Sequence, residues 1–345
     1  MRKKIIISML MVLCALISCE RRPLEDPNFS TEIEVRINLD AISNVTCDVY
    51  NDKIPIPDID PEVMKVMFYS TSNNKLLAES FISEKDKADG HDIIKGRLSI
   101  LPGEYSMTLY QFGSETTRIQ DEQEYRGAFA YTDAITQSEL KELKISSLST
   151  SKGETKFDGQ TINYQPEHLV VASSDYENIP YHEGVHTITV DATSIAESYY
   201  LQVKVEGLEY VSSAKAVLTS MVKQVNLATR EKDLKDPCAL YTHLIKSDDK
   251  GVPVVCNVFN TFGHIDDLDT KLNVVFDFWT TDGRNIQREF DISYLFDTQD
   301  CIQHHWLLVD ETIVIPPPET PDPGTGGGFD PSVGDWDEEH HEIEM

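Results

Sequence analysis

The sequence predicts an all-β protein built from two tandem β-sandwich domains. Short segments in which apolar and polar residues alternate recur along most of the 345 residues, and this period of two is typical of half-buried strands. Turn signals separate the segments at intervals of about eight to twelve residues. Few segments carry the period of an amphipathic helix. Because strands at this spacing commonly pack as sandwiches, we expect one sandwich in each half of the chain.

The first residues predict lipid attachment. A cationic start, Arg2-Lys3-Lys4, precedes an apolar run that ends in Leu16-Ile17-Ser18-Cys19. A small residue immediately before a cysteine lets a lipoprotein signal peptidase cut there after the thiol is acylated. The alternatives are an ordinary signal peptide or a membrane-spanning anchor, but a spanning helix needs about 20 residues and this run is shorter. We therefore interpret residues 1–18 as a lipoprotein signal peptide and Cys19 as the lipid-attachment site.

Composition excludes one class of partner. Removal of residues 1–18 leaves 345 − 18 = 327 residues, enough for two domains. The formal net charge is −29, and loss of three cations with the signal peptide gives −29 − 3 = −32. Such a chain is repelled by nucleic acid and by anionic headgroups, so we expect no nucleic-acid role. Membrane attachment then depends on the acyl chains.

The mature chain begins with a tether and a first sandwich. Residues 19–30 are polar and contain two prolines, so they predict an extended tether. Alternating segments then predict strands, two of which flank a turn with the sequence Leu101-Pro102-Gly103-Glu104. A short peripheral helix is also predicted. The N-terminal sandwich is placed at 31–160, with strands at 31–39, 63–69, 97–100 and 105–110 and the helix at 137–144.

A stretch rich in Ser, Thr, Lys and Gly at 150–166 predicts the domain boundary. The C-terminal sandwich is placed at 161–315, and an Asp282-Gly283 turn predicts its clearest hairpin. Residues 316–328 are rich in Pro and Gly and predict a linker. The acidic tail 329–345 also carries apolar residues that a purely solvating segment would not need: Phe329, Val333, Trp336, Ile343 and Met345. Strands are predicted at 169–172, 186–190, 199–205, 214–222, 272–281, 285–292 and 309–315.

Four cysteines remain beyond the signal peptide and Cys19, in a compartment that permits disulfides. Three of them, Cys238, Cys256 and Cys301, lie in the second half, so a disulfide within that half is a possibility and Cys47 is the candidate free thiol. Four cysteines allow three pairings, and the sequence does not choose among them.

The sequence contains no catalytic motif that we would defend, and it predicts a protein that is not an enzyme and holds no metal or cofactor. Neither a nucleophile elbow, a phosphate-binding loop nor a zinc-protease motif is present. The pair His304-His305 has no third ligand at metal spacing, so we interpret both as surface or turn residues. His340-His341 in the tail are also interpreted as solvated surface residues. The aspartates at 266–269 do not predict a calcium site, because they lack the glycine and the distal glutamate of a calcium loop.

Several short motifs follow one another along the chain: Cys19-Glu20-Arg21-Arg22-Pro23-Leu24, Val66-Met67-Phe68-Tyr69, Leu101-Pro102-Gly103-Glu104-Tyr105, Phe262-Gly263, Leu272-Asn273-Val274, Thr281-Asp282-Gly283, Gly326-Gly327-Gly328-Phe329-Asp330 and Trp336-Asp337. Taken in this order, they resemble the motifs of the fimbrillin-like lipoproteins of Bacteroidales, close to the FimB-type fimbrial anchors and a group of uncharacterised lipoproteins. Residues 150–166 and 228–250 match nothing in that group.

The resemblance implies two transthyretin-like (Ig-like) sandwiches and an outer-membrane lipoprotein that anchors or assists a fimbria-like polymer in cell adhesion. It also implies fimbrial subunit proteins as partners, joined by strand addition. We expect the tail residues Phe329, Val333, Trp336 and Ile343 to dock the partner, unless the tail folds back on its own domain. The alternative function is a surface glycan-binding lipoprotein of a polysaccharide-uptake system, although only three tryptophans are present.

Overall fold

The computed structural model describes residues 30–88, 90–145, 159–181, 184–266 and 272–318. The described residues form strands almost throughout, which confirms the predicted all-β class. The two α-helices are α1 (Gln137–Glu142) and α2 (Gln299–His304). The strands are β1 (Thr31–Asn38), β2 (Met64–Ser70), β3 (Leu76–Ile82), β4 (Glu84–Ala88), β5 (His91–Ile100), β6 (Gly103–Gln111), β7 (Thr117–Gln120), β8 (Phe129–Thr132), β9 (Thr161–Asn163), β10 (Val170–Ile179), β11 (Val185–Asp191), β12 (Thr193–Ser194), β13 (Glu197–Glu206), β14 (Val211–Val222), β15 (Gln224–Asn226), β16 (Pro237–Asp249), β17 (Val252–Thr261), β18 (Asn273–Thr280), β19 (Asn285–Asp291) and β20 (Trp306–Val314).

The first core lies between two sheets. One has the order β11-β1-β5-β4 and the other the order β12-β10-β6-β2-β3. The alternating residues Ile33, Val35 and Ile37 of β1 are fully buried, and they share one core with Val66 and Phe68 of β2. Full burial of each such side chain contributes about 1.5–3 kcal/mol. The period of two in the sequence therefore marks the inward faces of this sandwich.

This first pair of sheets draws strands from both sides of the boundary predicted between residues 160 and 161. β10 pairs with β6, and β11 pairs in parallel with β1. In the other direction, β8 of the first half pairs with β15 of the second half. β9, which begins at Thr161, pairs with β16 of the second half. Strand pairing therefore crosses the predicted boundary in both directions.

The second core belongs to a single large sheet. Its strands follow the order β19-β18-β14-β16-β17-β13-β20, and β9 lies beside β16. Apolar side chains from strands far apart in that order meet in one cluster, among them Phe276 of β18, Val203 of β13 and Leu307 of β20. Since the two ends of the sheet contribute to one core, the sheet encloses that core. The predicted transthyretin-like character of both halves stays a prediction.

The turn at 101–104 joins the two sheets of the first sandwich. β5 pairs with β1 and β4, whereas β6 pairs with β2 and β10, so the flanking strands are not hydrogen-bonded to each other. Ile100 before the turn and Tyr105 after it enter the same core. The predicted turn is confirmed, and it serves as an arch between sheets.

Two further predicted elements agree with the structure. The α1 helix is short and buries no residue, and Thr136 begins it with a capping box that includes Glu139. The hairpin of β18 and β19 turns at 281–284, where Gly283 has a φ of 85°. Glycine adopts this left-handed conformation without steric cost.

Candidate interaction surfaces and chain termini

The residues that the sequence singled out for attachment and docking lie outside the described residues. These are Cys19 and the tail residues Phe329, Val333, Trp336 and Ile343. The structure describes the residues nearest to these segments, namely the start of β1 and residues 315–318, together with the contacts that hold them.

The first described strand, β1, lies in the middle of a sheet. β1 pairs with β11 in parallel and with β5 in antiparallel register, so its backbone is hydrogen-bonded on both sides. Thr31, the first residue of β1, is buried, and its hydroxyl donates to the carbonyl oxygen of Pro180 at 2.7 Å. A pull on the tether is therefore resisted by two strand ladders.

An ion-pair cluster reinforces β1 on its other face. The Glu34 carboxylate accepts hydrogen bonds from Arg36 Nε at 2.7 Å and from Arg97 Nε at 3.1 Å. The hydrogen bond from Arg36 is the main reason that the pKa of Glu34 lies below its ordinary value, and Arg97 adds to the effect. Both partners are largely exposed, so we take the contribution to stability as small.

The C-terminal exit is held at a close backbone approach. The Ile315 amide donates to the carbonyl of Glu206 at 2.8 Å. Gly207 has a φ of 81°, and a Cβ at this position would lie 2.2 Å from the Ile315 carbonyl oxygen. Arg284 Nη2 then donates to the carbonyls of Pro316 and Pro317 at 3.1 and 2.8 Å. The chain therefore leaves the fold beside the turn that joins β18 and β19.

A loop of the first half packs on the large sheet of the second half. The Tyr50 ring stacks on Tyr200 at 5.0 Å between centroids and meets Trp306 edge-on at 4.9 Å. Its hydroxyl donates to Asp249 Oδ2 at 2.8 Å. The carbonyl of Asp48 accepts a hydrogen bond from Trp306 Nε1 at 2.8 Å. Aromatic contacts of this kind link the two halves and restrict their relative movement.

The histidines flagged in the sequence do not converge on a common ligand position. His304 ends α2, and its Nδ1 lies 2.7 Å from the Asp48 carboxylate, while its ring stacks on Trp306 at 4.3 Å. His305 adopts a φ of 57° and directs Nδ1 to the carbonyl of Ser198 at 3.1 Å. His304 is therefore the last residue of a helix, and His305 caps it. His340-His341 lie outside the described residues.

His168 joins β12 and β13 at the boundary between the two halves. Its Nδ1 lies 2.9 Å from Ser194 Oγ and its Nε2 lies 2.6 Å from Ser198 Oγ. Ser198 Oγ also lies 2.8 Å from Asn260 Oδ1 of β17. Burial is the main reason that the pKa of His168 falls to about 4, although hydrogen bonding to Ala196 and Asn260 opposes the shift. The ring is therefore neutral at pH 7.

An acidic cleft of about 630 Å³ opens at one end of the first sandwich. Four of its five aspartates lie beside a basic side chain, and among the described residues no three His, Cys, Asp or Glu side chains are placed to hold a metal ion. The cleft therefore gives no metal site. The pairs are Lys85 with Asp60 at 2.5 Å, Lys87 with Asp92 at 3.0 Å, Lys95 with Asp86, and His91 with Asp40.

The cysteines correct one prediction. Cys47, Cys238, Cys256 and Cys301 are buried free thiols, so the structure does not contain the disulfide that was considered for the second half. Cys238 and Cys301 belong to the core enclosed by the large sheet, whereas Cys256 lies in a different cluster with Cys47. Burial raises the pKa of Cys47 and of Cys301 to about 11 and that of Cys238 to about 12.

Aromatic side chains that could have formed a sugar platform are mostly engaged within the protein. Tyr125, Tyr199 and Tyr200 are buried. Trp306 packs against Tyr50 and His304, and the ammonium of Lys144 lies 4.8 Å from the ring of Trp279. In the portion of the chain that the structure describes, no helix is long and apolar enough to cross a membrane.

Sequence reasoning missed Asp48, Tyr50 and His168, because single polar residues in loops carry no periodic signal. It also missed the edge strand β3. Residues 76–82 do carry a signal, since Leu76, Leu77, Phe81 and Ile82 flank a polar centre. A search for strands with apolar ends would have found them.

Comparison with known proteins identifies relatives of this chain. A family model described as a domain of unknown function, DUF5119, matches residues 19–241. A protein of Bacteroides ovatus named "Putative fimbrium anchoring subunit Fim4B" is 20% identical over 352 residues, covering 94% of this chain and 92% of that protein. These matches confirm the resemblance to fimbrial anchors of Bacteroidales.

Two solved structures resemble this chain to different degrees. A crystal structure of a putative adhesin from Bacteroides ovatus shares the fold, with a TM-score of 0.58 at 19% identity, covering 88% of this chain and 98% of that chain. A crystal structure of putative polysaccharide binding proteins (DUF1812) from Bacteroides thetaiotaomicron has a TM-score of 0.48 at 11% identity. The match covers 82% of this chain and 90% of that chain.

Proposed function

Since this chain belongs to the family described as DUF5119, we propose that it is an outer-membrane lipoprotein that acts as an anchor or accessory subunit of a fimbria-like surface polymer. The observation that carries the proposal is the similarity to the fimbrium anchoring subunit over nearly the full length of both chains. Its role is in cell adhesion and is not catalytic.

The way in which the chain enters the fold supports an anchor. A protein that fixes a polymer to a membrane must transmit force from its lipid to its partner. Here the tether is followed directly by β1, which is bonded on both sides and begins at a buried threonine. We infer that the acylated Cys19 holds the protein in the outer membrane at the cell surface.

Docking of the partner is assigned to the tail. Residues Phe329, Val333, Trp336 and Ile343 supply the apolar side chains of a segment that adds to a fimbrial subunit as a strand. Phe329, Val333 and Ile343 are separated by even numbers of positions, so an extended chain places these three on one face. The linker 316–328 separates this segment from the exit point that Arg284 holds.

The anchor role is tested by cross-linking the native protein in intact cells and identifying its partners by mass spectrometry. Recovery of a repeating β-rich fimbrial subunit supports the proposal. Recovery of a transporter barrel or of glycan alone contradicts it and favours glycan uptake. Deleting residues 329–345 should abolish recovery of the subunit without changing the melting temperature; a lowered melting temperature would mean that the tail packs on its own domain.

The lipid anchor is tested by Cys19→Ser, with Cys14→Ser as the matched control. Both cysteines lie in the first 19 residues, but only Cys19 follows the cleavage signal. We expect Cys19→Ser to lose acylation, measured by labelling with a fatty-acid analogue, and Cys14→Ser to keep it. Equal labelling of both variants would contradict the assignment.

A further inference from the structure

The edges of the sheets differ in how they are protected. An unpaired edge strand attracts other strands, and proteins commonly block such edges with charged side chains or with very short strands. β4 is an edge strand with the sequence Glu-Lys-Asp-Lys-Ala, and most of it is exposed and charged. β12, the edge of the neighbouring sheet, has only two residues.

β3 is a seven-residue edge with little such protection, since Glu79 is its one charged residue. Within the described residues it pairs with β2 on one side and with no strand on the other. In the described part of the chain, only its first residue is engaged on the outer side, where the Leu76 amide donates to the Gln123 carbonyl at 3.0 Å. Its seven residues contain neither proline nor lysine. Leu77 is 59% exposed and Phe81 is 51% exposed. Phe112, 53% exposed, meets Phe81 edge-on at 5.0 Å between ring centroids. Leu77, Phe81 and Phe112 therefore form an apolar patch on an open backbone edge, and we call it the β3 patch.

The charge beside the β3 patch is negative. Lys65 Nζ lies 3.1 Å from Glu79 of β3 and 2.8 Å from Glu122, so two carboxylates share one ammonium group. The whole chain carries a formal charge of −29. A strand that pairs with β3 is therefore favoured if it places a basic residue near Glu79 and apolar residues on either side of it.

We propose that β3 receives an extended strand from another protein, in which a basic residue lies between apolar residues that contact Leu77 and Phe81. This strand becomes the sixth strand of the five-stranded sheet. Pairing with a second copy of this chain is disfavoured, because an antiparallel pair centred on Glu79 sets two carboxylates opposite each other. The inference rests on the proposed function in one respect, namely that the strand comes from a fimbrial subunit or its assembly partner.

The contact at β3 is distinct from the one assigned to the tail. The tail 329–345 adds a segment of this chain to a partner, whereas β3 accepts a segment from a partner. Deleting the tail and changing β3 are therefore separate tests.

The experiment compares Leu77→Lys with Leu234→Lys in the full-length lipoprotein. Leu234 is 57% exposed and lies in the second half, so it is a matched control. A lysine in place of Leu77 removes an apolar contact and adds a like charge two residues from Glu79, diagonal to the basic residue of the incoming strand. We expect recovery of the cross-linked partner to fall at least about tenfold with Leu77→Lys and to be unchanged with Leu234→Lys. Equal recovery from Leu77→Lys and the native protein would overturn the inference.

A second measurement does not depend on the stability of a variant or on the proposed function. The photo-cross-linking amino acid benzoylphenylalanine replaces Leu77 or, as control, Leu234 in intact cells, and the linked peptide is sequenced. A link from position 77 to another protein, within a segment that has a basic residue between apolar residues, supports the inference. A link to residues 319–345 of this chain, a link to a second copy, or no link at all overturns it. If the native protein recovers no fimbrial subunit yet position 77 links such a strand, the proposed function fails and the β3 inference stands.

Discussion

Acidification should loosen the boundary between the two halves through His168. The ring lies between Ser194 and Ser198 and is neutral in the folded protein. Ser198 Oγ donates to Asn260 Oδ1 and Ser194 Oγ donates to the Ala196 carbonyl, so the hydrogen bonds do not oppose a second ring proton. Burial opposes it, because a charged ring would lose the solvation that water provides in the unfolded chain.

The magnitude follows from the two pKa values. Folding lowers the pKa of His168 from an ordinary value of 6.5 to about 4. Above pH 6.5 both states are neutral, so the stability is fully present. Between 6.5 and 4 the unfolded chain binds a proton that the folded protein does not, so stability falls with pH. Linkage then gives a loss of about 2 kcal/mol in the free energy of unfolding between pH 8 and pH 5, rising to about 3 kcal/mol below pH 4.

The assay is urea unfolding followed by circular dichroism at pH 8 and pH 5, on the native protein, His168→Gln and His243→Gln. A glutamine side chain in place of His168 keeps hydrogen-bonding capacity but does not titrate, so the loss between the two pH values should shrink by about 2 kcal/mol. His243 is an exposed histidine of β16, and its variant should behave as the native protein does. His168 lines a small cleft together with the carboxylates of Asp58, Asp60 and Glu167. These carboxylates are present in all three proteins, so their effects cancel in the comparison. If His168→Gln loses as much stability as the native protein, the reasoning is refuted.

Three further changes test other parts of the structure. Tyr50→Phe removes the hydrogen bond to Asp249 but keeps the ring contacts, so it should lower the free energy of unfolding by about 1–2 kcal/mol in urea titrations; no change would mean that the bond is not formed. Gly207→Ala should lower it by at least about 1 kcal/mol, because a Cβ meets the Ile315 carbonyl at a positive φ; a melting temperature equal to that of the native protein would contradict this. The four buried thiols, those of Cys47, Cys238, Cys256 and Cys301, should resist a thiol reagent such as dithionitrobenzoate in native buffer and react in urea. Reaction of fewer than four thiols in urea without reductant would reveal a disulfide.

Much of the strand content could be predicted, and the misses have a physical pattern. Strands with one buried and one polar face, such as β1 and β13, carry alternation that survives in the sequence. β16 and β17 were not predicted. The sequence of β17 is a mixed run, Val-Pro-Val-Val-Cys-Asn-Val-Phe-Asn-Thr, without regular alternation. Of the candidate site, Cys19 and the tail could be proposed from the sequence because their signals are local, whereas the β3 patch and His168 depend on neighbours distant in the chain.

By itself the sequence determined the all-β class, the turns at 101–104 and 281–284, and the resemblance to fimbrial anchors. These depend on residue patterns a few positions long. Only the tertiary structure decided that Val185 pairs with Glu32, that the thiols lie in separate clusters, and that β3 is left open while β4 is charged. The reason is that alternation reports which side of a strand is buried but not which strand lies beside it. Pairing is chosen by the packing of the whole chain.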